Sequence, residues 1–320
     1  MISIIIPVYN GEKTIGRMLE SILGQTCSDF EVVIVNDGST DLTQHICMEY
    51  IQKDKRIKLV NQKNSGVSSA RNSGLRAASG SYIYFADSDD YLDQKALEVM
   101  MREIGDADML LFDYYQENSR GHMKCVHLFS PERIEAKEKE TCEKMVLCGG
   151  GQVCSKFCRK EAIERSKEGF FSEEISMCED LVFFYTIAQE CSKIIYVQTP
   201  LYYYTYNEKS LCNKKFSNEN MTFMSAYKKI EEQCVKNRRC VNEIVYLYLN
   251  NIANHVNKVL RDKRLGSQEQ KRFLRSLRME YDRIAKDYDI VFKHIFYHFM
   301  WKINVRLADA IFELRRLTHQ

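Results

Sequence analysis

Short runs of β-branched and aliphatic residues alternate with amphipathic stretches through the first third of the chain. "ISIIIPV" (2–8), "EVVIVND" (31–37), "IKLVN" (57–61) and "YIYFAD" (82–87) read as buried strands, and "ADMLLFDYY" (107–115) as a fifth. Between them, Ile15, Met18, Leu19, Ile22 and Leu23 share one helical face. Ser39 or Thr40 is placed to cap a second helix with Leu42, Ile46 and Tyr50 on one side. "SGVSSARNSGLRAAS" leads into a third helix, and Leu97, Met100, Met101 and Ile104 mark a fourth. This alternation predicts an α/β fold, a mostly parallel sheet flanked by helices, with right-handed crossovers. Residues 116–206 are less regular, with a helix near 179–190 followed by "IIYVQTPLYYYTY"; from about 217 the chain reads as helices.

In such sheets ligands bind beyond the carboxyl ends of the strands. Three polar segments fall there: "PVYNGE", "NDGSTD" and "ADSDD". The last sets Asp87, Asp89 and Asp90 within four residues. Like charges this close are tolerable in water or around a cation. A hard divalent ion, Mn2+ or Mg2+, takes such carboxylates together with substrate phosphates; a solvated acidic turn is the plain alternative. Phosphatases that use D-x-D-x-T or -V carry the motif on their first strand. Here it ends the fourth, with Tyr91 at the T/V position. Asp37 at the end of strand two is suited to accept hydrogen bonds from a base or ribose, or marks an ordinary strand–turn–helix junction. The first turn, "PVYNGEKTIG", fails the G-x-G-x-x-G dinucleotide pattern. Arg71, among small residues at a helix start, suits a base or phosphate, or is a solvated helix face. Glu179 and Asp180 open an apolar helix, where acids complement the helix dipole or supply a general base.

Taken in order, PVYN, NDGSTD, the N-x-G-x-S-x-ARN-x-G run, DSDD and ED resemble the inverting family 2 glycosyltransferases of the GT-A fold, over roughly residues 1–212. "CSKFCRK" and "PLYYYTYNEKS" extend the likeness. It departs at Asn36–Asp37, where many members have two acids, and at Cys178, where Gly often precedes ED. The resemblance implies transfer of a sugar from a nucleotide sugar, UDP-linked first of all, to a hydroxyl of a glycan or lipid-linked acceptor in surface polysaccharide synthesis. It implies donor contacts from Pro7, Tyr9, Asn10, Glu12, Asp37, Arg71, Asp87, Ser88 and Lys156. Asp89 with Asp90 would hold Mn2+ or Mg2+, Asp180 would be the catalytic base, and Glu179 would face the acceptor. The expected domains are a catalytic 1–212, with a nucleotide-sugar half (1–115) and an acceptor half (116–212), and a helical 213–320. A non-catalytic nucleotide-sugar binder or scaffold is the alternative.

A net charge of +2 gives no case for nucleic acid. The charge is uneven: from residue 257 onward fifteen Lys and Arg face eight Asp and Glu, so the body is net acidic. Phe292, Phe296, Phe299, Ile303, Leu307, Ile311 and Leu314 form a stripe, with Lys293, Lys302, Arg306, Arg315 and Arg316 elsewhere on the helix. That face suits either protein packing or peripheral contact with an anionic membrane. No secretory leader and no run of about 18 apolar residues is present, which points to the cytoplasm, at or near the inner membrane face. The twelve cysteines are then expected as reduced thiols. Cys154 and Cys158 do not have C-x2-C spacing, and the seven histidines form no motif.

Overall fold

The computed structural model describes residues 1–288 apart from 167, 209, 211 and 212. The stripe from Phe292 to Leu314, with the basic residues beside it and His294 and His298, lies outside these residues. Two compact units form, Met1–Glu208 and a second beginning at Lys209, four residues before the boundary expected from sequence.

The first unit is built on one mixed sheet. Its strands are β1 (Ile2–Val8), β2 (Phe30–Asp37), β3 (Ile57–Gln62), β4 (Tyr82–Phe85), β5 (Tyr91–Leu92), β6 (Met109–Glu117), β7 (Met123–Val126), β8 (Arg133–Ala136), β9 (Lys156–Arg159) and β10 (Ile194–Tyr204). Its helices are α1 (Ile15–Leu23), α2 (Thr43–Lys53), α3 (Val67–Ala77), α4 (Ala96–Ile104), α5 (Lys139–Cys148), α6 (Lys160–Arg165) and α7 (Glu179–Ala188). The order is β3-β2-β1-β4-β9-β6-β10-β5, with β7 on β6 and β8 on β10. Strands β3, β2, β1 and β4 run parallel, as the alternating pattern predicts. β9 enters antiparallel between β4 and β6. The two expected halves therefore share one sheet, because backbone groups on β4 and β6 find their partners on a strand from the later half.

The apolar runs behave as read. Every residue of β1 and β2 is buried, as strands covered on both faces require. Ile15, Met18, Leu19 and Ile22 of α1 pack on them. The second helix differs from expectation. It starts at Thr43, not after Ser39 or Thr40, and buries Thr43 and Cys47 while Leu42 stands exposed. The reason is Asp41, whose carboxylate accepts the Thr43 N–H at 3.0 Å and the Glu12 N–H at 3.1 Å. This sets the helix start; of the expected stripe Ile46 and Tyr50 still pack against the core, and Leu42 alone is left outside. Ser39 is used elsewhere, as acceptor for the Asn10 N–H at 2.9 Å.

α3 lies close on β1 because residue 74 is glycine: a Cβ there would sit 2.3 Å from Ile5 Cγ2. Alanine is the better helix former by about 1 kcal/mol, yet overpacking costs about 1–3 kcal/mol. Gly74→Ala is therefore expected to lower the urea midpoint with an unchanged slope; a raised midpoint would contradict this packing account.

The second unit contains α8 (Asn218–Met221), α9 (Phe223–Asn237), α10 (Val241–Arg261) and α11 (Ser267–Asp287). Ile230, Ile244, Val259 and Leu277 are among its buried side chains. Arg283 joins α11 to α9 through Glu231 at 2.7 Å. Among the described residues no helix is long and apolar enough to cross a membrane.

Candidate functional site

The carboxyl ends of β1, β2 and β4 open into a cavity of about 210 Å3. Pro7, Val8 and Tyr9 line it from β1, and Asp37 from β2. Val67 and Ala70 of α3 and the turn Asp87–Ser88–Asp89 complete the wall. A larger cavity of about 520 Å3 in the helical unit is framed by lysines and arginines, with one carboxylate, Asp262, bound to Arg264. It has no strand ends or paired acids, so the smaller one is the candidate site.

Each predicted residue has a definite place. Tyr9 is half exposed on the rim. Asn10 and Glu12 do not line the cavity; they brace the loop after β2. Asn10 adopts φ 52°, and its Oδ1 accepts the Thr40 N–H at 2.8 Å. Glu12 Oε2 accepts the Leu42 N–H at 3.0 Å. Asp37 is nearly buried. Its Oδ1 accepts from Gln62 Nε2 at 2.8 Å and the Ser65 N–H at 2.9 Å, and its Oδ2 from the Gly66 N–H at 2.9 Å. One carboxylate thus fixes the turn into α3 and faces the cavity.

The acidic turn divides by role. Asp90 is turned into the protein, 1% exposed. Its Oδ2 accepts from Tyr202 OH and its Oδ1 from the Thr205 N–H, both at 2.7 Å. Burial, then the charges of Asp87 and Asp89, push its carboxyl well above the usual range. The expectation that Asp90 helps to hold a metal is corrected here, since its oxygens are committed to β10 and it does not line the cavity. The short strand β5, which pairs Tyr91 with Tyr203, pulls it inward.

Asp89 does line the cavity. Its Oδ2 accepts from Asn207 Nδ2 at 2.7 Å, and burial followed by the Asp87 charge raises its carboxyl. A carboxylate disfavoured by burial and a like charge is relieved by a cation, so Asp89 beside Asp87 fits an oxygen-seeking divalent ion. Arg17 donates to the Asp89 carbonyl and lies 5.2 Å from the Tyr91 ring centre.

Behind the cavity lies a buried charge network. Arg71, expected at a base or phosphate, is 5% exposed and bridges two acids. Its Nη1 meets Glu179 Oε1 at 2.9 Å and its Nη2 meets Asp87 Oδ1 at 3.1 Å. Asp180 follows Glu179 at the start of α7 and accepts the Leu181 N–H at 2.8 Å. Burial, then the Glu179 charge, pushes its carboxyl up to about 7 against the pull of Arg71 and Lys156. Lys156 is wholly buried, and its Nζ donates to the Gln152 carbonyl at 3.0 Å and Ser155 Oγ at 3.3 Å. Burial lowers its ammonium to about 8, opposed by Asp180. It does not line the cavity.

Sequence reading did not single out Gly151. A Cβ there would stand 2.7 Å from Asp180 Oδ1 and 2.9 Å from the Leu181 nitrogen. The "GGG" at 149–151 was the available signal. Thr205 and Asn207 lay inside the quoted aromatic segment, but their service to the acidic turn appears only on folding. Cys178 has φ 65°, the left-handed region that glycine adopts without strain. Cys178, one of the two places where the chain departs from the family pattern, is therefore a position where glycine would be favoured.

A mixed, mostly parallel sheet with a D-x-D turn beyond its fourth strand and a helical region after it is the GT-A class of α/β fold. Residues 3–163 match Glycosyl transferase family 2, and the chain belongs to that family. EpsH of Bacillus subtilis (strain 168) is 32% identical over 216 residues, covering 67% of this chain and 63% of that protein. The chain thus spans less than two thirds of this relative's length. The crystal structure of S. aureus TarS 1-349 in complex with UDP-GlcNAc superposes with a TM-score of 0.70 at 22% identity, covering 89% of this chain and 82% of that one. The mannosyltransferase PcManGT from Pyrobaculum calidifontis, in complex with GDP-Man and Mn2+, gives 0.57 at 16% identity, covering 86% and 78%. At these identities the two structures establish the fold.

Proposed function

We propose that this protein is a metal-dependent, inverting glycosyltransferase that moves a sugar from a nucleotide sugar, UDP-linked first of all, to a hydroxyl of a glycan or lipid-linked acceptor in polysaccharide synthesis. One observation carries this reading: Arg71 ties Asp87, on the cavity wall, to Glu179, the neighbour of the raised Asp180 carboxyl. Family membership and the UDP-GlcNAc complex of TarS support the donor class.

Tyr9 and Asp37 bound the base, and Asp87 the ribose. Asp89, with Asp87 beside it, would hold Mn2+ or Mg2+, which when bound would supply positive charge to offset that of the diphosphate. The acceptor hydroxyl attacks C1 on the face opposite the diphosphate. The C1–O bond breaks, its electron pair leaves with the nucleoside diphosphate, and the configuration inverts. Asp180 takes the hydroxyl proton. Burial keeps Asp180 a stronger base than a solvated carboxylate, and the Lys156 charge keeps a working fraction ionised near neutral pH. A cytoplasmic site at the inner membrane face, with contact through the C-terminal region, belongs to the same proposal.

The test is nucleotide release from UDP-, GDP- and dTDP-sugars, with and without Mn2+, comparing the intact protein with Asp89→Ala. Slow hydrolysis of one donor, lost without metal and in the variant, is expected. Metal-dependent nucleotide binding with no turnover on any acceptor would favour a non-catalytic binder instead.

A further inference from the structure

Strands β6 and β7 form an antiparallel hairpin in which Tyr114 faces Val126 and Tyr115 faces Cys125. Alternate strand residues share a face. Asp113 therefore falls on the same side as Cys125 and His127, although twelve residues separate Asp113 from Cys125. Nothing in the transfer chemistry proposed above uses this group.

The three side chains converge. His127 Nδ1 lies 2.5 Å from Asp113 Oδ2 and 3.8 Å from Cys125 Sγ. One donor atom from each falls within 4.8 Å of the other two. Asp113 is wholly buried, and its other oxygen accepts from Tyr196 OH at 2.8 Å and the Leu128 N–H at 3.0 Å. These bonds aim Oδ2 at the histidine, as outer partners aim the ligands of metal sites. His127 is half exposed and Cys125 partly so, which leaves one side open to water.

We propose that Asp113, Cys125 and His127 form a site for a borderline divalent ion, Zn2+ in the first place, with solvent in the fourth position. Bonds of about 2.0–2.3 Å to O, N and S in a tetrahedral ion set ligand atoms roughly 3–4 Å apart. The S–N separation already fits. The O–N separation must open by less than about 1 Å, and the half-exposed His127 ring is free to supply that movement. The mixed oxygen, nitrogen and sulfur set selects Zn2+ over Mg2+ or Mn2+, so the site is chemically distinct from the all-oxygen pair Asp87 and Asp89. An Asp–His hydrogen bond alone would account for the first contact but not for a thiol turned toward it. Burial, then the Asp113 charge, raises the Cys125 thiol. On binding, Cys125 gives up its proton to solvent, and two anionic ligands balance the ion's two charges. The ion would fasten β7, whose Met123 and Lys124 are exposed, to the core strand β6.

Co2+ titrated into the metal-free full chain tests this, because a thiolate ligand produces a sulfur-to-cobalt charge-transfer band in the near ultraviolet. One equivalent is expected to bring up the band. It should be absent in Cys125→Ser, at least tenfold weaker in affinity in His127→Ala, and intact in Cys27→Ser. Zn2+ should abolish it and Mg2+ should not. Far-ultraviolet circular dichroism of the metal-free variants, unchanged from the parent, shows that they fold. A band that survives Cys125→Ser, or no band in the parent, overturns the proposal. Donor hydrolysis by the same variants is expected to be unchanged, so failure here is separable from failure of the transferase reading.

Discussion

Asp180→Asn is expected to lower sugar transfer by on the order of 10^3-fold, the scale of a lost general base, while nucleotide affinity stays within about twofold. The rate of the parent should climb with pH through about 7, where burial and Glu179 place this carboxyl, and then level off. Below that point it should fall about tenfold per unit, because only the ionised form accepts a proton. The residual rate of the Asn variant should lack this limb. Near-full turnover, or a limb that persists in the variant, would remove Asp180 from the role. The same substitution should stabilise the fold at pH 8. The folded carboxyl titrates at about 7 against 3.8 for a free aspartate. Its ionisation therefore opposes folding: the cost is absent below about pH 4, grows as pH rises, and is complete above about 7. A full shift of this size corresponds to about 4 kcal/mol. Lys156 loses the Asp180 charge in the variant, which offsets part of that gain. Thermal melts at pH 8 and pH 4 check it, with the gain expected only at the higher pH.

Arg71→Met should strongly destabilise the first unit. Methionine keeps most of the unbranched apolar stem and removes the cation between Asp87 and Glu179 while leaving both carboxylates in place. Breaking a buried ion pair from one side costs about 3–5 kcal/mol, which for a unit of this size lowers Tm by roughly 10 °C. The guanidinium also lies 5.2 Å from the Phe171 ring centre, a contact that methionine replaces only in part. Arg71→Lys keeps the charge but not the planar fork that reaches both acids, so an intermediate loss is expected. A Tm within about 2 °C of the parent would show that the bridge matters little to stability.

The alternation of buried strands and amphipathic helices was legible along the chain, because burial on both faces leaves continuous apolar runs such as Ile2–Val8 and a single stripe such as Ile15 to Ile22. So was the gathering of polar segments at one end of the sheet, which follows from parallel strands with short turns. Pro7, Tyr9, Asp37, Asp87, Ser88 and Asp89 accordingly meet at one cavity. Other assignments depended on partners far away in sequence. Whether Asp89 or Asp90 faces the cavity was settled by Tyr202 and Thr205, more than a hundred residues on. Arg71 was drawn from an expected ligand contact into a bridge by Glu179, which lies 108 residues away. Asp41, not Ser39 or Thr40, set the start of α2 through its bond to Thr43. The sequence by itself determined which residues must leave water and which backbone pattern lets them do so, since those preferences are local and repeat with the helical or strand period. Only the tertiary structure decided which charged group faces ligand and which is spent inside the protein. A buried charge must find a partner, and the partner's position is a property of the folded chain.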